Sequence, residues 1–129
     1  MSKKQVILRI NENLKSRLEL LSLKNQISLN DMKIYLLELG YEEYKILLEN
    51  NNIKNYFYIT DKSQDKRTPI RLDDNLKLRI KNLRCKDLPS FNKVAIILLE
   101  LGYQIYMERF DNYFLKQNKI VKECDYNEN

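Results

Sequence analysis

The sequence repeats itself at an interval of 62 residues, and this repeat constrains the fold more than any other feature. Residues 9–44 align with residues 71–106 without a gap, and 17 of the 36 aligned positions carry the same amino acid. The longest identical run, Leu36 to Tyr41, matches Leu98 to Tyr103. Two copies are too few for a solenoid, so we expect two similar units related as a pseudo-twofold dimer within one chain.

Each repeat begins with a short segment in which apolar and exposed positions alternate, as they do in a β-strand. The inward set is Val6, Leu8 and Ile10 in the first repeat, and Thr68, Ile70 and Leu72 in the second. Proline removes a backbone donor and is tolerated only at an edge or at a non-bonded position, so Pro69 favours a two-stranded ribbon, which consists of two edges. The outward set is Gln5, Ile7 and Arg9 on one strand, and Arg67, Pro69 and Arg71 on the other.

Two helices are predicted after each strand. Asn11 and Asp73 are N-cap residues, and apolar residues follow at helical spacing, with a helix end near residues 25–26 in the first repeat and 87–89 in the second. Ser28 and Ser90 start a second helix that is apolar nearly all round and therefore central to the core. Gly40 and Gly102 fit the C-terminal cap of this second helix.

This order of elements, with Ser-x-Asn at the start of the second helix, resembles the ribbon-helix-helix superfamily over residues 5–44 and 67–106. The resemblance implies a mainly α fold with a two-stranded antiparallel β-ribbon that enters the major groove of double-stranded DNA. Members are usually homodimers, and the tandem arrangement is similar to that of a member acting in plasmid conjugation. We therefore predict repeats at 1–45 and 67–107, a linker at 46–66, and a C-terminal helix and tail at 108–129.

The outward residues of the ribbon are the predicted base readers: Gln5, Ile7, Arg9, Arg67, Pro69 and Arg71. Arginine can bond guanine bidentately, glutamine suits adenine, and an exposed isoleucine can pack on a thymine methyl group. Arg9 and Arg71 are the strongest candidates because they recur in both repeats, the alternative being solvated strand arginines. Ile7 and Pro69 depart from the usual polar readers, and Ile7 has the alternative of packing on a neighbouring side chain.

Phosphate contacts are predicted at the start of each second helix, where free backbone amides and the helix dipole favour an anion. Such contacts fix the register of the protein on DNA without reading sequence, and helix capping alone would need the same serines. For the lysines among the predicted contacts, the alternative is that they are simply solvated surface residues. The predicted phosphate-binding residues are Lys3, Lys4, Lys24, Ser28, Leu29, Asn30, Lys86, Ser90, Phe91 and Asn92.

The linker and the C-terminus carry aromatic residues. We expect a short helix to end at residues 46–48, a turn at residues 50–52, and an apolar, extended segment from Tyr56 to Ile59 that packs on the core or stacks on bases. Helical spacing from Tyr103 through Phe110 to Phe114 predicts a third helix to about Lys122. This helix either covers the domain or docks a second molecule or a partner protein, and residues 124–129 are expected to fray.

Composition excludes most catalytic chemistry. The chain has no histidine, its two glycines form no phosphate-binding loop, and Cys85 and Cys124 lack CxxC spacing. We expect reduced thiols, no metal, no cofactor and no enzymatic activity. Neither a signal peptide nor an apolar run of about 18 residues is present, so we expect a soluble, cytoplasmic protein.

The net charge of +5 is concentrated in the repeats and is compatible with the nucleic-acid partner that the resemblance implies, although many other domains are mildly basic. The predicted function is sequence-specific binding of double-stranded DNA, as a transcriptional repressor or as an accessory factor at a plasmid transfer origin. The alternative is an adaptor or antitoxin-like module that binds a partner protein through its C-terminal aromatic helix. The ribbon could also form between two chains, and the protein could self-associate on DNA.

Overall fold

The structure, a computed structural model, describes residues 4–111. This part of the chain is mainly helical, with one two-stranded antiparallel sheet. In chain order its elements are β1 (Lys4–Ile10), α1 (Glu12–Asn25), α2 (Leu29–Glu49), a 3-10 helix (Ile53–Asp61), β2 (Lys66–Leu72), α3 (Asp74–Asn82), α4 (Phe91–Tyr106) and a π-helical turn (Met107–Asp111).

The predicted antiparallel ribbon is confirmed, and its two strands come from the same chain. Ile7 lies opposite Pro69 at the centre of the register, and three residue pairs flank it on each side. Along each strand, buried and exposed residues alternate, because successive side chains point to opposite faces of a sheet. The inward Leu8, Ile10 and Ile70 are at most 1% exposed and join the hydrophobic core.

The predicted N-caps are confirmed at all four helices. Each cap residue has extended backbone, and its side-chain oxygen accepts a hydrogen bond from the amide three residues on. The pairs are Asn11 with Leu14, Ser28 with Asp31, Asp73 with Leu76 and Ser90 with Lys93. The end of α1 agrees with expectation, since Gln26 closes it in the left-handed conformation, whereas α3 ends at Asn82, before the predicted end at residues 87–89.

The prediction that Gly40 and Gly102 cap the second helices is wrong. Both glycines lie inside helices, where α2 crosses α4, and both have ordinary negative φ angles. A Cβ atom added to Gly40 would lie 1.9 Å from the carbonyl oxygen of Leu98, and one added to Gly102 would lie 1.9 Å from that of Leu36. Glycine is therefore required because the two helix backbones touch. The longest identical run of the two repeats, Leu36 to Tyr41 and Leu98 to Tyr103, therefore lies at this crossing.

Two further expectations, which concern the residues after Gly40 and the linker, are wrong. No separate helix follows Gly40, because α2 continues unbroken to Glu49, and residues 53–61 form a 3-10 helix where an extended segment was expected. Within that helix Tyr56 and Phe57 pack against the core, while Tyr58 is exposed.

The helix expected after Gly102 begins as a continuation of α4. Tyr106 is buried and donates a hydrogen bond from its hydroxyl to Asn25 Oδ1 at 2.7 Å, so it belongs to the core. Residues 112–129, with Phe114, Lys122 and Cys124, lie outside the described residues. Over residues 4–111, no helix combines the length and apolar character that a membrane span needs.

Two matching polar clusters join the repeats on the flanks of the core. Arg17 of α1 pairs with Glu100 of α4 at 2.7 Å, and its guanidinium lies 4.6 Å from the ring centroid of Tyr103. At an offset of 62 residues, Arg79 of α3 pairs with Glu38 of α2 and lies over the ring of Tyr41. Each cluster therefore connects the first helix of one repeat to the second helix of the other.

Candidate nucleic-acid interface

The six predicted base readers form the outward face of the ribbon. All six are exposed, and the face carries no acidic residue among the strand positions that form it. Its centre is apolar, because Ile7, which is 40% exposed, lies opposite Pro69. Its two ends are polar. The residues of the face are Gln5, Ile7, Arg9, Arg67, Pro69 and Arg71.

The two ends of this face differ in charge. Arg9 lies directly opposite Arg67, whereas Gln5 lies directly opposite Arg71. Like charges that face each other across two antiparallel strands are destabilising unless a counter-ion lies between them. An anion, or a pair of acceptors such as guanine O6 and N7, would therefore stabilise two arginines that occupy directly opposite positions on an exposed face.

Asn30 and Asn92 fasten the second helices to the outer edges of the ribbon. The Asn30 side chain accepts from the backbone amide of Arg71 at 2.7 Å and donates to its carbonyl at 3.0 Å. The Asn92 side chain makes the same two bonds to Arg9, at 2.7 and 2.9 Å. Each amide thus takes the place of a neighbouring strand, and the edge of the ribbon is satisfied at this point.

This arrangement brings each helix N-terminus beside an arginine of the outward face of the ribbon. In a helix the first amides have no carbonyl partner within the helix, and those after Ser28 belong to Leu29 and Asn30. The equivalent amides of α4 belong to Phe91 and Asn92. The structure therefore places the predicted phosphate-binding segments at the two ends of the ribbon. We call one end of the ribbon the Arg9 end (Arg9, Arg67 and the N-terminus of α4) and the other the Arg71 end (Gln5, Arg71 and the N-terminus of α2).

The third residue of each helix gives the two ends different electrostatics. At the Arg71 end this residue is Asp31, and at the Arg9 end it is Lys93. A carboxylate in the first turn stabilises the helix dipole but repels a phosphate, while a lysine attracts one. The Arg9 end is the more positive of the two.

The Arg71 end contains a cleft of about 510 Å³ between α2 and the ribbon. Six of the predicted DNA contacts line it, together with two residues that were not predicted to contact DNA. The predicted ones are Gln5, Ser28, Leu29, Asn30, Pro69 and Arg71, and the additional ones are Asp31 and Lys33.

Lys33 is the residue of this region that sequence reasoning missed. Its side chain is 2% exposed, and its Nζ donates to Thr68 Oγ1 and, at 2.7 Å, to the carbonyl oxygen of Pro69. Burial lowers the pKa of Lys33 from 10.5 to about 8; nearby Glu19 raises it and Lys15 lowers it further. The repeat did carry a signal for this contact. The positions equivalent to Lys33 and Thr68 are occupied by the apolar residues Ala95 and Val6, so two polar residues replace two apolar ones in one half only.

The predicted lysine contacts are not all brought to the ribbon. Lys4 lies in β1 and is exposed, and Lys3 lies outside the described residues. Lys24 is exposed in the last turn of α1. Lys86 lines a different cleft, beside Tyr44. Neither Lys24 nor Lys86 lines the cleft at the Arg71 end.

Comparison of the chain with protein-family models, with curated proteins and with solved structures found no match.

Proposed function

We propose that the chain is a sequence-specific double-stranded DNA-binding protein, in which two ribbon-helix-helix repeats form one ribbon that reads the major groove. The observation that carries this proposal is the exposed face of the ribbon, with three arginines, a glutamine and two apolar residues between two helix N-termini. A two-stranded ribbon has the width of the major groove, and arginine and glutamine are the side chains that bond guanine and adenine edges there.

The helix N-termini supply the contacts that position the protein. Phosphates on the two sides of the groove would accept hydrogen bonds from the free amides at the start of α2 and α4. Because Asn30 and Asn92 hold these helices to Arg71 and Arg9, each phosphate site is fixed relative to a base reader. The protein needs no partner chain to complete its ribbon, since β1 and β2 pair within the chain.

The target sequence is asymmetric in this proposal. One strand presents Gln5, Ile7 and Arg9, and the other presents Arg67, Pro69 and Arg71. A homodimer would present the same residues twice and would favour a palindrome, whereas two different strands favour a site without internal symmetry. Both a transcriptional repressor and an accessory factor at a plasmid transfer origin fit such a reader.

Selection of binding sites from a randomised duplex pool tests the proposal. At about 150 mM salt with competitor DNA we expect enrichment of one motif of roughly 8–12 base pairs. The Arg9→Ala/Arg67→Ala variant should lose the preference at one end of that motif, by roughly 10- to 100-fold for each arginine.

The matched control is Lys45→Ala/Lys81→Ala, which removes two exposed charges from helices while leaving the ribbon intact. This control should weaken binding slightly and keep the motif. Absence of an enriched motif from the unaltered protein, or an unchanged motif from the arginine variant, would refute the proposal.

A second candidate function is the binding of a partner protein, which one observation favours. Leu20 and Leu23 on α1 are 65% and 76% exposed, and Ile27 after it is 40% exposed. The equivalent residues of the second repeat are Asn82, Cys85 and Pro89, so the repeat pattern does not require these apolar side chains. If the pool selection enriches nothing, this surface and the exposed Phe110 become the place to look for a partner.

A further inference from the structure

Lys33 places a cationic group directly beneath the reading face of the ribbon. Its Nζ bonds to two consecutive residues of β2: Thr68, which points inward, and Pro69, whose ring lies outward at the centre of the face. In the other half of the molecule the equivalent residues are Ala95, which belongs to the hydrophobic core, and Val6, which packs against that core. A buried ammonium group is therefore a feature of one half only.

This group is already removed from water in the free protein. Because Lys33 is 2% exposed, little of its own surface is left for a docked duplex to cover. Docking would, however, bring a dense row of phosphate charges to the cleft that Lys33 lines. An anion near an amino group favours the protonated form, whereas further burial would favour the neutral form. We expect the first effect to exceed the second here, because most of the burial of Lys33 is already present in the free protein.

The charged groups around Lys33 are of both signs, so they do not by themselves fix its protonation state. Glu19 and Lys15 of α1 act on it with opposite signs, and Asp31 of α2 and Arg71 of β2 line the same cleft, again with opposite signs. The free protein therefore holds Lys33 with a pKa of about 8, so that its charge is lost within a pH range in which DNA binding can be measured.

We propose that Lys33 is a positioning residue whose charge is coupled to DNA binding: docking of a duplex on the ribbon takes up a proton at Lys33, and loss of that proton weakens binding. This inference rests on the proposed function. When it is charged, Lys33 donates to both Thr68 and Pro69 and attracts the phosphates at the Arg71 end. When it is neutral, the attraction is lost although the apolar contacts remain.

The test is the pH dependence of affinity for a mixed-sequence duplex of about 20 base pairs at about 50 mM salt, where electrostatic binding is strong. Between pH 7 and 9 we expect the unaltered protein to lose about three- to tenfold in affinity, because a rise of one pKa unit on binding corresponds to a tenfold change. Lys33→Met should bind more weakly at pH 7 and show no such loss.

The control is Lys45→Met, which removes one exposed lysine about 18 Å further along α2 and should keep the full pH dependence. α-Amino groups ordinarily titrate in the same range, but the chain terminus is the same in all three proteins. An equal loss of affinity in Lys33→Met and in the unaltered protein, or no loss in either, would overturn the inference and leave the proposed function standing. Failure of the unaltered protein to bind the duplex at any pH would overturn both.

Lys33→Met could fail to fold, and a measurement on the unaltered protein covers that case. The ¹³Cε resonance of Lys33 reports its protonation directly. Its titration midpoint should rise when duplex is added, and should rise less at about 0.5 M salt, where phosphate charges are screened. An unchanged midpoint with the duplex bound would refute the coupling.

Discussion

The two ends of the ribbon are built from the same contacts but carry different charges. At each end an asparagine bonds the backbone of an arginine, and a serine caps the adjacent helix. The Arg9 end adds Arg67 and Lys93, whereas the Arg71 end adds Gln5, Asp31 and the buried Lys33.

The comparison separates the contacts that hold the two repeats together from the residues that make the two ends of the ribbon different. Several positions that are identical in the two repeats make reciprocal contacts between the repeats, among them Gly40 and its equivalent Gly102, and Arg17 and its equivalent Arg79. The differences that separate the two ends are Gln5 against Arg67 on the outward face of the ribbon, Asp31 against Lys93 in the first helical turn, and the buried pair of Lys33 and Thr68 against Ala95 and Val6. The frame of the molecule is therefore nearly symmetric, whereas the charges at the two ends of the ribbon are not.

The largest expected effect tests the symmetric part. Gly40→Ala and Gly102→Ala should each lower the free energy of unfolding by at least about 3 kcal/mol, because the added Cβ meets backbone that cannot move without parting α2 from α4. Urea denaturation followed by circular dichroism measures this change.

The two glycine variants should be nearly equal, since the contacts with Leu98 and Leu36 are reciprocal. Glu42→Ala, at an exposed position two residues after Gly40 on the same helix, is the control and should change stability by less than about 0.5 kcal/mol. A glycine variant as stable as this control would show that the close crossing of the helices is not required.

The second prediction tests the asymmetric part through the stability of the free protein. The folded chain holds Lys33 with a pKa of about 8, against 10.5 for an ordinary lysine. Below pH 8 both states bind the proton, and the folded state carries the full cost of the buried charge. Between pH 8 and 10.5 the unfolded state binds more protons, so the free energy of unfolding rises with pH, by at most about 3 kcal/mol.

The reference for this measurement is Lys33→Ala/Thr68→Val, which gives the Arg71 end the same residue types as Ala95 and Val6 of the other half. Other lysines and tyrosines titrate in both proteins and cancel in the difference. The unaltered protein should gain stability relative to this variant as the pH rises from 8 to 10.5. A difference that stays constant over that range would show that the ammonium group is not desolvated.

The sequence was sufficient for the elements whose signal is local. Alternation predicted β1 and β2 and the residues that face outward, and Asn11, Ser28, Asp73 and Ser90 predicted the starts of four helices. These features depend on neighbours within a few residues, so a pattern in the chain is enough to find them.

The features that were missed depend on contacts between distant segments. A glycine near the end of an apolar stretch suggests a cap, and only the crossing of α2 and α4 shows that Gly40 faces the backbone of Leu98. Lys33 occupies an apolar stretch, and only the packing of α2 under β2 supplies its acceptors. The end of α2 at Glu49 was missed because Gly40 was interpreted as a helix end, whereas the helix runs through it.

The smallest expected effect concerns the two matched ion pairs. They join equivalent residues of the two repeats but differ in their exposure to solvent. The side chains of Arg17 and Glu100 are 23% and 12% exposed, whereas those of Arg79 and Glu38 are 29% and 44% exposed. Water screens the second pair more, so Arg17→Ala should cost about 1 to 2 kcal/mol and Arg79→Ala about 0.5 to 1 kcal/mol, each including the contact with a tyrosine ring.

Urea denaturation at about 50 mM and about 1 M salt distinguishes this explanation from a loss of packing, because salt screens exposed pairs more than buried ones. The cost of Arg79→Ala should shrink at high salt more than that of Arg17→Ala. Lys15→Ala, which breaks an exposed pair with Glu19 on the same helix as Arg17, is the control and should be close to neutral. Equal costs for the two arginines at both salt concentrations would mean that the alkyl stems and the tyrosine rings, rather than the charges, join the two repeats.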